Sequence, residues 1–254
     1  MNQAAPGVLV TRPAHQSAAL IEQIRHLGLN AIPCPVIQIH ETPPDLTHFR
    51  LEQYQIIIFI SANAVEIGLK YLKNLDKIPE IQICAIGRQT ARRLIDHGID
   101  EVIQAETGFN SEALLNLASL SRANINQQNI LIVRGQGGRE YLADELRHRG
   151  ARVDYLEVYQ REIASTDVEP VIRLWSEGKI NIITVSSNES LKNLYHILQD
   201  RGLELLLNTP LITPGERCSD LARQLGFKNQ ILQAASAADD DIIKQLNNWL
   251  DSKQ

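Results

Sequence analysis

The chain has 254 residues, 44% of them hydrophobic and 22% charged, with a formal net charge of −5 and three cysteines. These values describe a globular protein of one large or two small domains, long enough to bury a core without disulfides. They exclude a disordered, collagenous or disulfide-framework chain, and they offer no basic field for nucleic acid or an anionic membrane.

The first seven residues lack a basic n-region, and the apolar run Val8–Val10 is too short for a signal peptide. No stretch approaches the roughly 18 apolar residues of a membrane span. A cytoplasmic protein is expected. Cys34, Cys84 and Cys218 each lie in or beside an apolar segment and form no CxxC pair. Reduced thiols in a core are expected, not ligands or disulfides.

The first element is a short apolar strand, VLVTR at 8–12. A turn, an amphipathic helix and a second strand ending in Val36-Ile37-Gln38 follow. Gly28 fits the left-handed position that closes a helix. A polar segment with Pro43-Pro44 comes next, and then a second apolar strand, QIIIFISAN at 55–63. The segment ICAIGRQTARRLIDHG at 83–98 reads as strand, turn and helix, and TGFNSEALL at 107–115 as a polar cap and helix.

At Ile130 the pattern starts again. Val8–Gln38 aligns with Ile130–Gln160 without a gap, with Arg12/Arg134, Leu20/Leu142, Gly28/Gly150, Val36/Val158 and Gln38/Gln160 identical. INIITVSSN at 180–188 matches the second strand, and LITPGERCSDLARQLG at 211–226 matches 83–98. The chain is therefore two copies of one unit. Strand cores such as IIIFI are apolar on both faces and alternate with helices, the pattern of parallel strands covered on each side. The predicted fold class is α/β, with two doubly wound parallel-sheet domains from an internal duplication. In each copy a polar, proline-bearing segment follows the V-x-Q strand, as at a domain crossing.

In open α/β sheets ligands bind beyond the carboxyl ends of the strands. The turns there are TRPAH (11–15), SANA (61–64), IGRQT (86–90), RGQGG (134–138), SSNE (186–189) and TPGER (213–217). Ser61, Ser186 and Ser187 suit helix caps, and a helix N-terminus also receives carboxylates. Arg12, Arg88, Arg134 and Arg217 fall at strand ends, where a guanidinium can hold a carboxylate or close a structural ion pair. A polyanionic small molecule is the indicated ligand. Gly135-Gln136-Gly137-Gly138 suggests a dinucleotide loop, but Glu140 stands where the third glycine belongs and the other copy has no glycine there. No P-loop and no metal-ligand spacing of His or Cys occurs, so neither a metal nor an organic cofactor is expected. Tyr159 is a phenol where the first copy has Ile37, although its neighbours agree between copies.

Taken together, VLVTRP (8–13), LGLNAIPCPVIQI (27–39), IIFISANAV (57–65), AIGRQTARRL (85–94), ILIVRGQGGREYLADELRHRGA (130–151), YLEVYQR (155–161), IITVSSNESL (182–191) and GERCSDLARQLGF (215–227) resemble the uroporphyrinogen-III synthase family along the whole chain. The resemblance implies a cofactor-free lyase that closes hydroxymethylbilane to uroporphyrinogen III, inverting ring D, in a cleft between two α/β domains joined by a two-stranded ladder. It implies a crossed topology. Residues 1–35 and 166–254 form a discontinuous domain, 41–157 an inserted one, and 36–40 with 158–165 the linker strands. Tyr159 matches the family's proposed proton donor. Substrate contacts fall on Arg12, Ser61, Arg88, Arg134, Gly135, Ser186, Ser187 and Arg217. The partner is a small molecule, not nucleic acid or membrane, and a monomer is expected. The competing readings are a non-catalytic two-domain protein that binds a small polyanion, and a nucleotide-dependent enzyme disfavoured by the broken glycine pattern.

Overall fold

The computed structural model describes residues 5–253, apart from 74, 76–79 and 109; the first four residues of the expected discontinuous domain lie outside this set. Among the described residues eleven strands follow in chain order: β1 (Gly7–Val10), β2 (Asn30–Pro33), β3 (Ile37–Glu41), β4 (Ile56–Phe59), β5 (Gln82–Ala85), β6 (Val102–Ile103), β7 (Asn129–Gly135), β8 (Arg152–Ile163), β9 (Ile182–Thr184), β10 (Leu211–Thr213) and β11 (Ile231–Gln233). The chain divides into two compact units, Met1–Gln38 with Glu162–Gln254, and Ile39–Arg161.

The discontinuous unit holds a five-stranded sheet in the order β11-β10-β9-β1-β2. Its pairings are parallel. Val8, Leu9 and Val10 are all fully buried, as a strand covered on both faces requires. Val8 and Val10 pack with Leu20 and Ile24 of the helix Ala18–His26 and with Ile242, Leu246 and Trp249 of the helix Asp239–Asp251. Gly28 closes the first of these helices at φ +75°, and its N–H donates to the Arg25 carbonyl at 2.9 Å. An L-residue with a side chain adopts this left-handed conformation at a cost.

The second unit holds a six-stranded sheet in the order β3-β8-β7-β4-β5-β6. The period of two along its strands separates two cores. Ile57, Phe59, Leu131, Val133 and Leu156 face one side, against Ala64, Val65, Ala91 and Leu94. These belong to the helices Ala62–Tyr71 and Arg88–Asp96. Ile56, Ile58, Cys84, Ile130, Ile132 and Val153 face the other, against Leu114, Leu115, Leu142 and Leu146. The apolar residues on both faces of β4 and β7 thus explain why helices cover both sides of the sheet. Each apolar side chain buried this way contributes about 1.5–3 kcal/mol.

The two copies diverge at one place. The strand Arg152–Ile163 runs unbroken for twelve residues. Its counterpart breaks between Pro33 and Ile37 into β2, beside β1, and β3, beside β8. Pro33 and Pro35 stand where the second copy has Tyr155 and Glu157. Proline lacks the N–H a ladder needs and restricts the residue before it, so a continuous strand there is disfavoured.

Among the described residues, no helix is long and apolar enough to cross a membrane. All three cysteines are free and buried. Burial pushes the Cys34 and Cys218 thiols up to about 11 and the Cys84 thiol to about 12. The thiolate is the reactive form, so these thiols are inert while the fold holds. We predict that a thiol-specific reagent at pH 8 labels none of the three in the native protein and all three in denaturant. Rapid labelling of any one under native conditions contradicts this placement.

Candidate active site

In the second unit β4, β7 and β8 are neighbours and run parallel. Their carboxyl ends therefore lie together, and three residues meet there. Ser61 follows β4, Gly135 ends β7, and Tyr159 lies near the end of β8. Ser61 has extended backbone angles and caps the helix Ala62–Tyr71, its Oγ accepting from the Ala64 N–H at 3.1 Å. The same Oγ lies 3.0 Å from the Tyr159 phenol oxygen.

A shift in register brings Tyr159 to Ser61. Arg134 pairs with Glu157, but Gly135 pairs with Tyr159, so Val158 is the extra residue of a bulge. Upstream, alternation sends Val153 to one core and Leu156 and Val158 to the other. Unbroken alternation would place Tyr159 on Val153's side. The bulge turns it instead to the side of Leu156 and Val158, where it is 1% exposed. The Gln136 N–H donates to the Tyr159 carbonyl at 2.7 Å and holds the bulge. Gly135 leaves room for the ring, since a Cβ there would stand 2.5 Å from Tyr159 Cε2 and 2.7 Å from Cζ. The Arg161 guanidinium lies 5.9 Å from the centroid of the same ring, within range of a cation–π contact.

The arginines fall into two classes. Arg134 is buried and spent within its own turn. It donates to the Gly135 carbonyl at 3.1 Å, to Glu140 at 2.9 Å, and to the Gly137 carbonyl. Its guanidinium also lies 4.6 Å from the centre of the Tyr155 ring. Tyr155 donates to Glu140, and that bond, followed by Arg134, holds the Glu140 carboxyl below its usual range. Burial, followed by the bond to Glu140, raises the Tyr155 phenol. Arg12 in the discontinuous unit is likewise buried, ion-paired to Asp239 and donating to the Ala237 carbonyl. Arg88 and Arg217 are exposed in the first turns of the helices Arg88–Asp96 and Glu216–Gln224, each capped by a glycine, Gly87 and Gly215. A cation at a helix N-terminus opposes the helix dipole, so neither position is explained by helix stability.

Ser187 in the discontinuous unit repeats the geometry of Ser61. It caps the helix Asn188–Leu198 and forms a reciprocal capping box with Ser190. Ser186 donates its N–H to Ser190 Oγ at 3.1 Å. Within the second unit, a cavity of about 320 Å³ is lined by Ile132, Leu142, Arg134, Arg139, Tyr155 and Arg161 among others. Ile132 and Leu142 belong to the core on the sheet face opposite Tyr159. Among the described residues, no group of three or more His, Cys, Asp or Glu side chains is placed to hold a metal ion.

Ser61, Gly135 and Tyr159 are thus brought together, while Arg12, Ser186, Ser187 and Arg217 belong to the other unit and Arg88 is exposed where its helix follows β5, the neighbour of β4. Glu140 and Tyr155 surround Arg134 in the second unit, and Asp239 holds Arg12 in the discontinuous one; none of the three is among the site residues expected from the sequence. The spacing of Arg134 and Glu140 around a glycine-rich turn is the only sequence signal for any of them. We predict that Gly135→Ala forces the Tyr159 ring aside and lowers unfolding stability in urea by about 1–3 kcal/mol, as overpacking does. A variant as stable as the parent would mean that the ring yields freely.

A family model described as uroporphyrinogen-III synthase HemD matches residues 18–244. The chain is 32% identical to the uroporphyrinogen-III synthase of Escherichia coli (strain K12), covering 93% of this chain and 97% of that protein. The Salmonella typhimurium enzyme is also 32% identical, with the same coverage. Among solved structures, uroporphyrinogen-III synthetase from Helicobacter pylori superimposes with a TM-score of 0.63 at 17% identity, over 96% of this chain and 99% of that one. A mutant uroporphyrinogen III synthase from Thermus thermophilus gives 0.59 at 16%, over 98% and 100%. At these identities the structural likeness concerns the two-domain fold alone.

Proposed function

Because this chain belongs to the uroporphyrinogen-III synthase family, and so is a cyclising lyase of porphyrin biosynthesis, we propose that Tyr159 supplies the proton that starts ring closure. The reaction takes hydroxymethylbilane to uroporphyrinogen III with loss of water. It begins when the hydroxyl of the ring A hydroxymethyl group leaves and an azafulvene cation remains. Hydroxide is a poor leaving group, so a positioned acid accelerates this step. A phenol carries an O–H donor and can serve. The observation that carries the assignment is the Tyr159–Ser61 hydrogen bond at the carboxyl end of the sheet. The bulge and Gly135 support it, because together they turn the phenol to Ser61.

After ionisation the chemistry needs orientation more than further catalysis. The cation has to meet the substituted position of ring D, not its free position, so that the ring inverts through a spiro intermediate. Holding the acetate and propionate groups restricts the reacting ends to that encounter. Arg88 and Arg217 are suited to carboxylates, being exposed cations beside helix N-termini. The main-chain N–H groups of the first turns after Ser61 and Ser187 are suited in the same way. Arg12 and Arg134 serve this reading indirectly, by holding their turns in shape through Asp239 and Glu140. No step calls for a metal or an organic cofactor. The enzyme works as a monomer in the cytoplasm.

Incubation with hydroxymethylbilane and separation of the product isomers tests the activity. Uroporphyrinogen III is expected; the type I isomer alone, in the amount formed without protein, would refute it. Tyr159→Phe is expected to fold normally and to lose about 10²- to 10⁴-fold in rate, the usual scale of general acid catalysis. The type I isomer then accumulates by spontaneous closure. Parent-like turnover and isomer ratio in this variant would remove Tyr159 from the chemistry.

A further inference from the structure

We infer that Ser61, not Tyr159 itself, hands the proton to the substrate, with Tyr159 behind it as the source. This rests on the reading that Tyr159 supplies the proton. Burial is the first ground. Tyr159 is 1% exposed and packed with Ile57, Phe59 and Val133. A phenol so enclosed has no surface to offer a tetrapyrrole. Ser61 is half-buried, stands at the turn after β4, and touches the phenol at 3.0 Å.

The second ground is the hydrogen-bond count. A serine hydroxyl has one proton and two lone pairs. The Ala64 N–H occupies one lone pair of Ser61 Oγ at 3.1 Å. A phenol is a stronger acid than an aliphatic alcohol, and the alcohol oxygen is the better acceptor, so Tyr159 donates to Ser61. Both lone pairs are then filled. The proton of Ser61 is left over, and tetrahedral geometry directs it away from both donors. A chain of two hydroxyls runs from the buried phenol to the turn where a ligand arrives.

Along that chain the atoms balance. The Ser61 Oγ–H bond breaks as its proton passes to the hydroxyl oxygen of the hydroxymethyl group. The C–O bond breaks with its electron pair going to oxygen, water departs, and the azafulvenium cation remains. Ser61 Oγ takes the proton of Tyr159, leaving a phenolate. That charge lies at the N-terminus of the ten-residue helix Ala62–Tyr71, whose positive dipole end favours an anion, and on a ring whose centroid stands 5.9 Å from the Arg161 guanidinium. Closure of the macrocycle later releases one proton from the substrate, which returns to the phenolate. The cycle consumes no proton overall.

The test compares Tyr159→Phe, Ser61→Ala, Ser61→Asn, Ser61→Thr and the double variant Tyr159→Phe/Ser61→Ala in the full chain with hydroxymethylbilane. Asparagine still caps the helix, so Ser61→Asn separates loss of the relay from loss of the fold. Ser61→Ala and Ser61→Asn are expected to fall about as far as Tyr159→Phe, roughly 10²- to 10⁴-fold. The loss should appear in kcat and not in KM. The double variant should fall no further than either single one, and Ser61→Thr should recover much of the rate. If both Ser61→Ala and Ser61→Asn keep the parent rate while Tyr159→Phe loses it, the phenol donates directly: the relay is wrong and the reading of Tyr159 stands. Losses that multiply in the double variant would also overturn the relay. If Tyr159→Phe keeps the parent rate, the reading of Tyr159 fails and the relay fails with it.

Discussion

Burial of β4 and β7 on both faces is the constraint from which the rest of the second unit follows. Ile56 and Ile58 cannot share a face with Ile57 and Phe59, because successive side chains of a strand point to opposite sides. Both sides must therefore be covered, and helices between parallel strands cover them. Parallel strands all end at one edge of the sheet. Every strand-to-helix turn of the unit is consequently delivered to that edge, and with it Ser61, Gly135 and the residues after β5. The apolar core thereby brings the polar turns to one edge, where the Ser61–Tyr159 and Gln136–Tyr159 hydrogen bonds can form.

Within that frame, one extra residue decides where the phenol goes. A strand in perfect register would bury Tyr159 beside Val153, away from Ser61. The bulge at Val158 reverses its direction, and Gly135 leaves the ring its space. The same shift lets Gln136 close the turn onto the Tyr159 carbonyl. Bulges are common beside functional sites because they re-aim a side chain without changing the sheet.

The duplication makes the divergences informative. Ser61 and Ser187 keep the same capping geometry in the two units. Arg12 and Arg134 are equivalent positions of the duplication, two residues beyond β1 and next to last in β7, and both are tied to carboxylates of their own unit, Asp239 and Glu140. A buried guanidinium without such a partner would be strongly destabilising. What differs is Ile37 against Tyr159, and Pro33 and Pro35 against Tyr155 and Glu157. The prolines end the ladder in one copy, while β8 continues in the other for twelve residues and carries the phenol on it.

The α/β class, the internal duplication, the capping serines and the left-handed glycine after the first helix were all legible in the residue pattern. They depend on local periodicity and backbone preference, which neighbouring residues set. The family was legible too, since seven or more spaced segments carry it and no single motif is needed. The partners of Arg12, the enclosure of Tyr159, and its contacts with Gly135 and Ser61 were not. Ser61 and Tyr159 are 98 residues apart, and Arg12 and Asp239 are 227 apart. Such contacts are set by strand order and by a one-residue register shift. Both result from how whole elements pack, and a linear pattern of residues does not encode them.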